Sequence, residues 1–111
     1  MMRQGEIWYV DLNPVRGSEQ AGFRPVVIIS GNMLNALAPV VICCPLTTQL
    51  KRYKGNLILE PSETNGLQQS SEVLTSHIRS ISKTRFVKVV GNLQPVELLH
   101  IQQTLSDLMR Y

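Results

Sequence analysis

A small, mainly β domain, a partly open SH3-like barrel closed by one C-terminal α-helix, is the fold class the sequence predicts. Three observations carry it. Short apolar, β-branched runs recur at close spacing along most of the chain, punctuated by Gly, Pro and Asn. Helical periodicity is clear only in the last segment. The length, 111 residues, suits a single domain over residues 1–111 that buries roughly two thirds of its unfolded surface without disulfide staples.

Gly5 to Leu12 has the composition of a first strand, with Trp8 and Tyr9 pointing to opposite faces, and Asn13-Pro14 ends it. A polar loop follows. Val26 to Ser30 is unbroken apolar sequence, as expected of a strand buried on both faces. Gly31 to Ala38 is a connector with at most a turn of uncapped helix. Val40 to Leu46 is the third strand and runs out into Thr47-Thr48-Gln49. Lys51 to Lys54 forms a basic turn, and Asn56 to Glu60 a short strand stopped by Pro61. Ser62 to Ser71 is a polar loop with Asn65-Gly66 as its turn. Val73-Leu74 and His77 to Ile81 alternate, and Phe86 to Val90 makes a last strand ending at Gly91. Pro95 suits a first helical position and Glu97 the positive end of the helix. Leu98, Ile101, Leu105 and Leu108 then repeat on one face.

Composition narrows the function classes. Hydrophobic residues at 43% and charged residues at 17% describe a soluble globule. A formal charge of +3 and a pI near 9.1 permit a polyanionic partner without requiring one. The two cysteines, Cys43 and Cys44, are adjacent in one strand and point to opposite faces, so the expectation is two buried thiols in a reducing compartment. With no signal peptide pattern at Met1 and no membrane-length apolar run, the expected location is cytoplasmic, away from any membrane. His77 and His100 stand far apart and no zinc spacing, Walker-type loop or nucleophile elbow occurs, so no metal or other cofactor is expected.

What remains is a set suited to phosphate. Arg16 and Arg24 bracket the polar loop Gly17-Ser-Glu-Gln-Ala-Gly-Phe23, and Pro25 pushes Arg24 out of helical conformation to where loop becomes strand. The Arg24 guanidinium is a permanently charged fork that matches phosphate geometry. Thr47 and Thr48 add hydroxyl donors at a strand exit. Arg16 and the Lys51–Lys54 turn can follow a nucleic-acid backbone, with Trp8, Phe23 or Tyr53 available for stacking. Each also has a plain structural reading: surface arginine, strand threonine, solvated turn or core aromatic. Residue chemistry alone therefore reaches a polyanion binder and stops there.

The order of the motifs says more. Gly5-Glu-Ile-Trp-Tyr-Val-Asp-Leu-Asn-Pro14, then Gly17-Ser-Glu-Gln-Ala-Gly22, then Arg24-Pro-Val-Val-Ile-Ile-Ser30 strongly resembles the MazF/PemK family of bacterial toxin ribonucleases. The similarity runs on through Pro45–Gln49, His77–Ile81 and Pro95–Met109, essentially the whole chain. It implies an SH3-like homodimer that cuts single-stranded RNA without a metal, often at short sequence motifs, and is blocked by a cognate antitoxin protein. The attacking group is the RNA's own 2′-hydroxyl, and the products carry 2′,3′-cyclic phosphate and 5′-hydroxyl ends.

By resemblance the catalytic pair is Arg24 and Thr47, with Thr48 the competing hydroxyl. The expected substrate-binding set is Arg16, Ser18, Glu19, Gln20, Thr48, Gln49, Lys51, Arg52, His77 and Arg79. Arg24 suits transition-state stabilisation and donation of a proton to the leaving oxygen. Glu19 is the candidate base by charge and position alone. His77 stands where many members of the family carry glutamine, which bears on base specificity. Two other readings share the fold: a gyrase-poisoning toxin of the CcdB type, and a non-catalytic RNA-binding relative.

Overall fold

A computed structural model describes residues 2–12 and 22–110. One antiparallel sheet organises it, from β1 (Glu6–Asp11), β2 (Phe23–Ile28), β3 (Val40–Thr47), β4 (Ile58–Leu59), β5 (Ser71–Val73), β6 (Arg79–Ser82) and β7 (Phe86–Asn92). The spatial order is β4-β5-β3-β2-β1-β7, with β6 also pairing β3. Helix α1 (Asn32–Leu37) links β2 to β3, and α2 (Pro95–Leu108) follows β7.

β3 is the hinge of the sheet. Its first half pairs β6, from Val40↔Ser82 to Cys43↔Arg79, and its last two residues pair β5, Leu46↔Val73 and Thr47↔Glu72. Pro45 stands where the partner changes. It has no N–H to offer a ladder, while its carbonyl still accepts from Leu74 N–H at 2.8 Å.

Alternation along the strands divides the apolar residues between two cores. Ile7, Val27, Cys44, Leu46, Leu59 and Val73 gather on one face, where Ile101 of α2 joins them with Leu98 and Leu105 alongside. Val10, Val26, Ile28, Val41, Cys43 and Ile81 gather on the other, with Trp8 and Phe86 packed edge to face. The Val26–Ile28 run is buried on both faces, as its composition predicts. Adjacent Cys43 and Cys44 enter different cores as free thiols, and burial pushes each up to about 12.

Several elements differ from the sequence expectation. β2 begins at Phe23 rather than Val26, and His77 ends a short 3-10 turn, Thr75–His77, so that β6 begins only at Arg79. The expected connector after Gly31 is a helix, anchored by the side chain of Asn35 rather than by a cap: Ser30 Oγ bonds Asn35 Oδ1, and Asn35 Nδ2 donates to Ser30 O at 2.9 Å. The strand expected at Asn56–Glu60 shrinks to Ile58–Leu59 because β5 pairs only that far. Leu108 is half exposed at the end of α2, outside the core face. Gly91, expected to end a strand, lies inside β7 opposite Ile7, extending the strand to Asn92.

Close approach explains Gly91. A Cβ there would overlap the backbone of Asn65, whose own side chain ties the Glu60–Leu67 turn together through Ser62 N–H, Leu67 N–H and Glu60 O. Backbone cannot step aside as a side chain end can. Gly91→Ala should therefore cost about 3 kcal/mol of stability, read as a lowered urea midpoint at unchanged m-value.

Helix α2 starts as its sequence suggests. Pro95 takes the first helical position and Glu97 accepts the Gln94 N–H at 2.7 Å. Among the described residues no helix is long and apolar enough to cross a membrane.

Candidate active site

The site forms where β2 and β3 open out. Their ladder runs from Ile28↔Cys43 to Val26↔Pro45 and stops there, leaving Arg24 just before the paired stretch of β2 and Thr47 just after that of β3, on the same edge of the sheet. Arg24 is the second residue of β2 and exposed; Thr47 is the last of β3 and half-buried. A cleft of about 230 Å³ lies there, lined by Arg24, Pro25, Leu46, Thr47, Thr48 and Gln49. One guanidinium and two hydroxyls thus border a single open, polar cleft.

The two threonines are not equivalent. Thr47 Oγ1 accepts the Gln49 N–H at 3.1 Å, which occupies a lone pair and leaves the hydroxyl proton free to donate into the cleft. Thr48 lies beyond the strand end and is exposed. Fixed backbone and fixed oxygen favour Thr47 as the aimed donor.

The basic turn after Thr48 is built around a residue that sequence reasoning missed. Glu72 in β5 is fully buried next to Thr47 in the ladder. Its carboxylate accepts the N–H groups of Lys51 at 2.6 Å, Arg52 at 2.7 Å and Tyr53 at 3.1 Å, and Asn56 Nδ2 at 2.8 Å. Burial alone would raise its pKa. The Asn56 bond and the backbone bonds oppose that, and hold the carboxyl below the usual range. Arg52 takes a positive φ of 57°, uncommon for a residue with a Cβ. From outside, α2 adds a second anchor: Thr104 Oγ1 donates to Gly55 O at 2.7 Å, and His100 Nε2 lies 3.0 Å from the same oxygen.

Acid should weaken this arrangement. A carboxyl with a depressed pKa in the folded state contributes stability above its unfolded value, and loses it as pH falls through the folded one. The chain should therefore exceed Glu72→Gln in stability at pH 7. That gap should narrow progressively once pH drops below 4.5, the ordinary value for the group. Urea midpoints of both proteins from pH 7 to pH 3 measure it. A gap independent of pH would mean the charge of Glu72 is not what stabilises the turn.

The other expected site residues divide three ways. Gln49 lines the cleft, and exposed Lys51 and Arg52 adjoin it on the turn. His77 and Arg79 are exposed but do not belong to its described lining. Arg79 pairs with Cys43, four residues back along β3 from Thr47, roughly 13 Å at strand rise. Arg16, Ser18, Glu19 and Gln20 lie outside the described residues. Among the described residues no cluster of three His, Cys, Asp or Glu side chains forms that could hold a metal ion.

Comparison with known proteins identifies the family and the fold. Residues 3–109 match the family described as PemK-like, MazF-like toxin of type II toxin–antitoxin system. The chain is 36% identical over 111 aligned residues to Endoribonuclease MazF9 of Mycobacterium tuberculosis, covering 96% of this chain and 94% of that protein. It is similar in structure to MazF from Deinococcus radiodurans, with a TM-score of 0.79 and 25% identity over 97% of this chain and 96% of the other. An endoribonuclease from a mycobacterial species, solved in complex with its cognate antitoxin, has the same fold, with a TM-score of 0.81 at 20% identity over 100% and 99% of the two chains.

Proposed function

Because the chain belongs to the PemK-like, MazF-like toxin family of type II toxin–antitoxin systems, we propose that this endoribonuclease cuts single-stranded RNA without a metal, through the RNA's own 2′-hydroxyl. The observation that supports this chemistry is that Arg24 and Thr47 line one polar cleft at the edge where the β2–β3 ladder ends.

In the proposed reaction the 2′-oxygen attacks the adjacent phosphorus and the bond from phosphorus to the 5′-oxygen breaks. The products are a 2′,3′-cyclic phosphate and a 5′-hydroxyl. Two demands follow. The strand must be splayed so that attacking and leaving oxygens lie in line, which a cleft between two strand ends can impose. The phosphorane gains negative charge as it forms, and Arg24 together with the Thr47 hydroxyl are donors aimed at that charge. Arg24 also carries protons for the leaving oxygen. Glu72, the acidic residue beside Thr47, is unsuited as the base: its oxygens are committed to four donors and it is buried. Glu19, five residues before Arg24 in the sequence, is the candidate base by charge and sequence position alone. Thr48, Gln49, Lys51 and Arg52 are the proposed contacts flanking the scissile bond, with Arg16, Ser18 and Gln20 near Glu19 in sequence, His77 on the turn before β6 and Arg79 at the start of β6.

The proposed partners are a cognate antitoxin that occludes the cleft and a second copy of the chain, both in the cytoplasm. Exposed apolar residues at Met33 and Leu37 of α1 and at Val87 and Val89 of β7 offer surface for assembly.

Incubation with a randomised single-stranded RNA library in chelator, followed by end mapping, tests the reaction. Cuts at a short shared motif, with cyclic phosphate upstream and hydroxyl downstream, are expected. Intact RNA across the whole library would instead favour a toxin that acts by binding a protein such as gyrase.

A further inference from the structure

Lys51, Arg52 and Lys54 are exposed on the turn beyond the cleft and form no ion pair with any described residue. Free cations beside a polar cleft bordered by a guanidinium are useful to a polyanion only if the backbone beneath them holds still. Here three consecutive amides converge on one buried carboxylate, with Arg52 bent to a positive φ of 57° to complete the convergence. Glu72 pairs with Thr47, and Thr47 lines the cleft together with Arg24, so the buried carboxylate belongs to the strand next to the cleft wall.

A negative charge on the strand next to that cleft opposes RNA binding on electrostatic grounds. Its geometry serves the opposite end. Resting on the ribonuclease reading above, we propose that Glu72 is a positioning residue for RNA. Its buried carboxylate holds the Lys51–Tyr53 backbone so that Lys51 and Arg52 meet the phosphates of the strand leaving the Arg24–Thr47 cleft. The ligand class is a single-stranded RNA segment longer than the scissile dinucleotide.

Glu72→Gln is the discriminating variant. The amide is nearly isosteric, but its Nε2 cannot accept, so two donors lose their acceptor: either the Lys51 and Arg52 N–H groups on Oε1, or the Tyr53 N–H and the Asn56 amide on Oε2. Hydrogen exchange at Lys51, Arg52 and Tyr53 should accelerate. The KM for a long strand should rise about tenfold relative to that for a minimal oligonucleotide across the scissile bond, with the loss falling on KM rather than kcat. The dependence of log KM on log salt should flatten by about 0.7 for each phosphate that the turn no longer neutralises.

The sign is informative. Removing a negative charge should tighten RNA binding if electrostatics alone acts, and a folding defect should lower activity on both substrates equally. Either result, or released amides with an unchanged long-strand KM, overturns the proposal. If Glu72→Gln does not fold, the surface pair Lys51→Gln and Arg52→Gln must still raise the long-strand KM and flatten its salt dependence; no change overturns it. Should the unaltered protein cut no RNA, the ribonuclease reading fails separately. Binding of fluorescent single-stranded RNA by the same variants then decides the positioning role.

Discussion

Arg24→Ala should lower the rate of RNA cleavage by about 10²–10³-fold while leaving the fold intact. The side chain is exposed, and its backbone pairing to Val10 does not depend on what the side chain is. Truncation therefore removes a charge from the cleft without opening a core cavity. The loss should fall on kcat, because the extra phosphorane charge exists only in the transition state. Arg24→Lys should recover part of it, since the ammonium keeps the charge but not the planar fork. Single-turnover rates on a mapped cleavage site, with circular dichroism confirming the fold, check both. Equal rates for Arg24→Ala and the unaltered protein would remove Arg24 from the chemistry. Thr47→Val, which keeps shape and loses the hydroxyl, should cost less, by about 10-fold to 100-fold, the worth of one hydrogen bond to a charged group.

The second large effect lies in the substrate. Replacing the ribose at the scissile position by 2′-deoxyribose deletes the nucleophile, and cleavage there should fall below detection while binding persists. The attacking oxygen is already held next to the phosphorus, an arrangement worth about 7–11 kcal/mol over a free reactant, and a water molecule cannot replace it at comparable rate. Chelator should leave cutting of the all-ribose strand unchanged. Cleavage of the deoxy substrate at a similar rate, or a requirement for magnesium, would contradict attack by the 2′-oxygen.

Much of the fold was legible in the sequence, and the reasons differ by element. Val26 to Ile29 and Val40 to Leu46 declare themselves because a strand buried on both faces has no polar alternation to confuse it. Pro95 and Glu97 mark the start of α2 by local chemistry alone. The miss at α1 is tertiary: no cap announces it, and what holds it is Asn35 turned inward to Ser30. Gly91 resembles a strand terminator until the Thr64–Asn65 backbone is seen pressed against it. In the site, Arg24 and the threonines stood out by position and by the surrounding motif. Glu72 did not. One carboxylate in Ser71-Glu-Val73 looks the same whether it faces water or accepts three amides from residues some twenty positions earlier, and no local period separates the cases.

The two buried thiols have a practical consequence. Both are fully buried and burial pushes each up to about 12, so maleimide and iodoacetamide have neither access to the sulfur nor the thiolate form they attack while the chain stays folded. They are also the only cysteines in the chain. A cysteine introduced at exposed Lys54 would thus take a fluorophore against a silent background. The turn beside the cleft could then be watched directly as RNA arrives, without first stripping sulfur from either core.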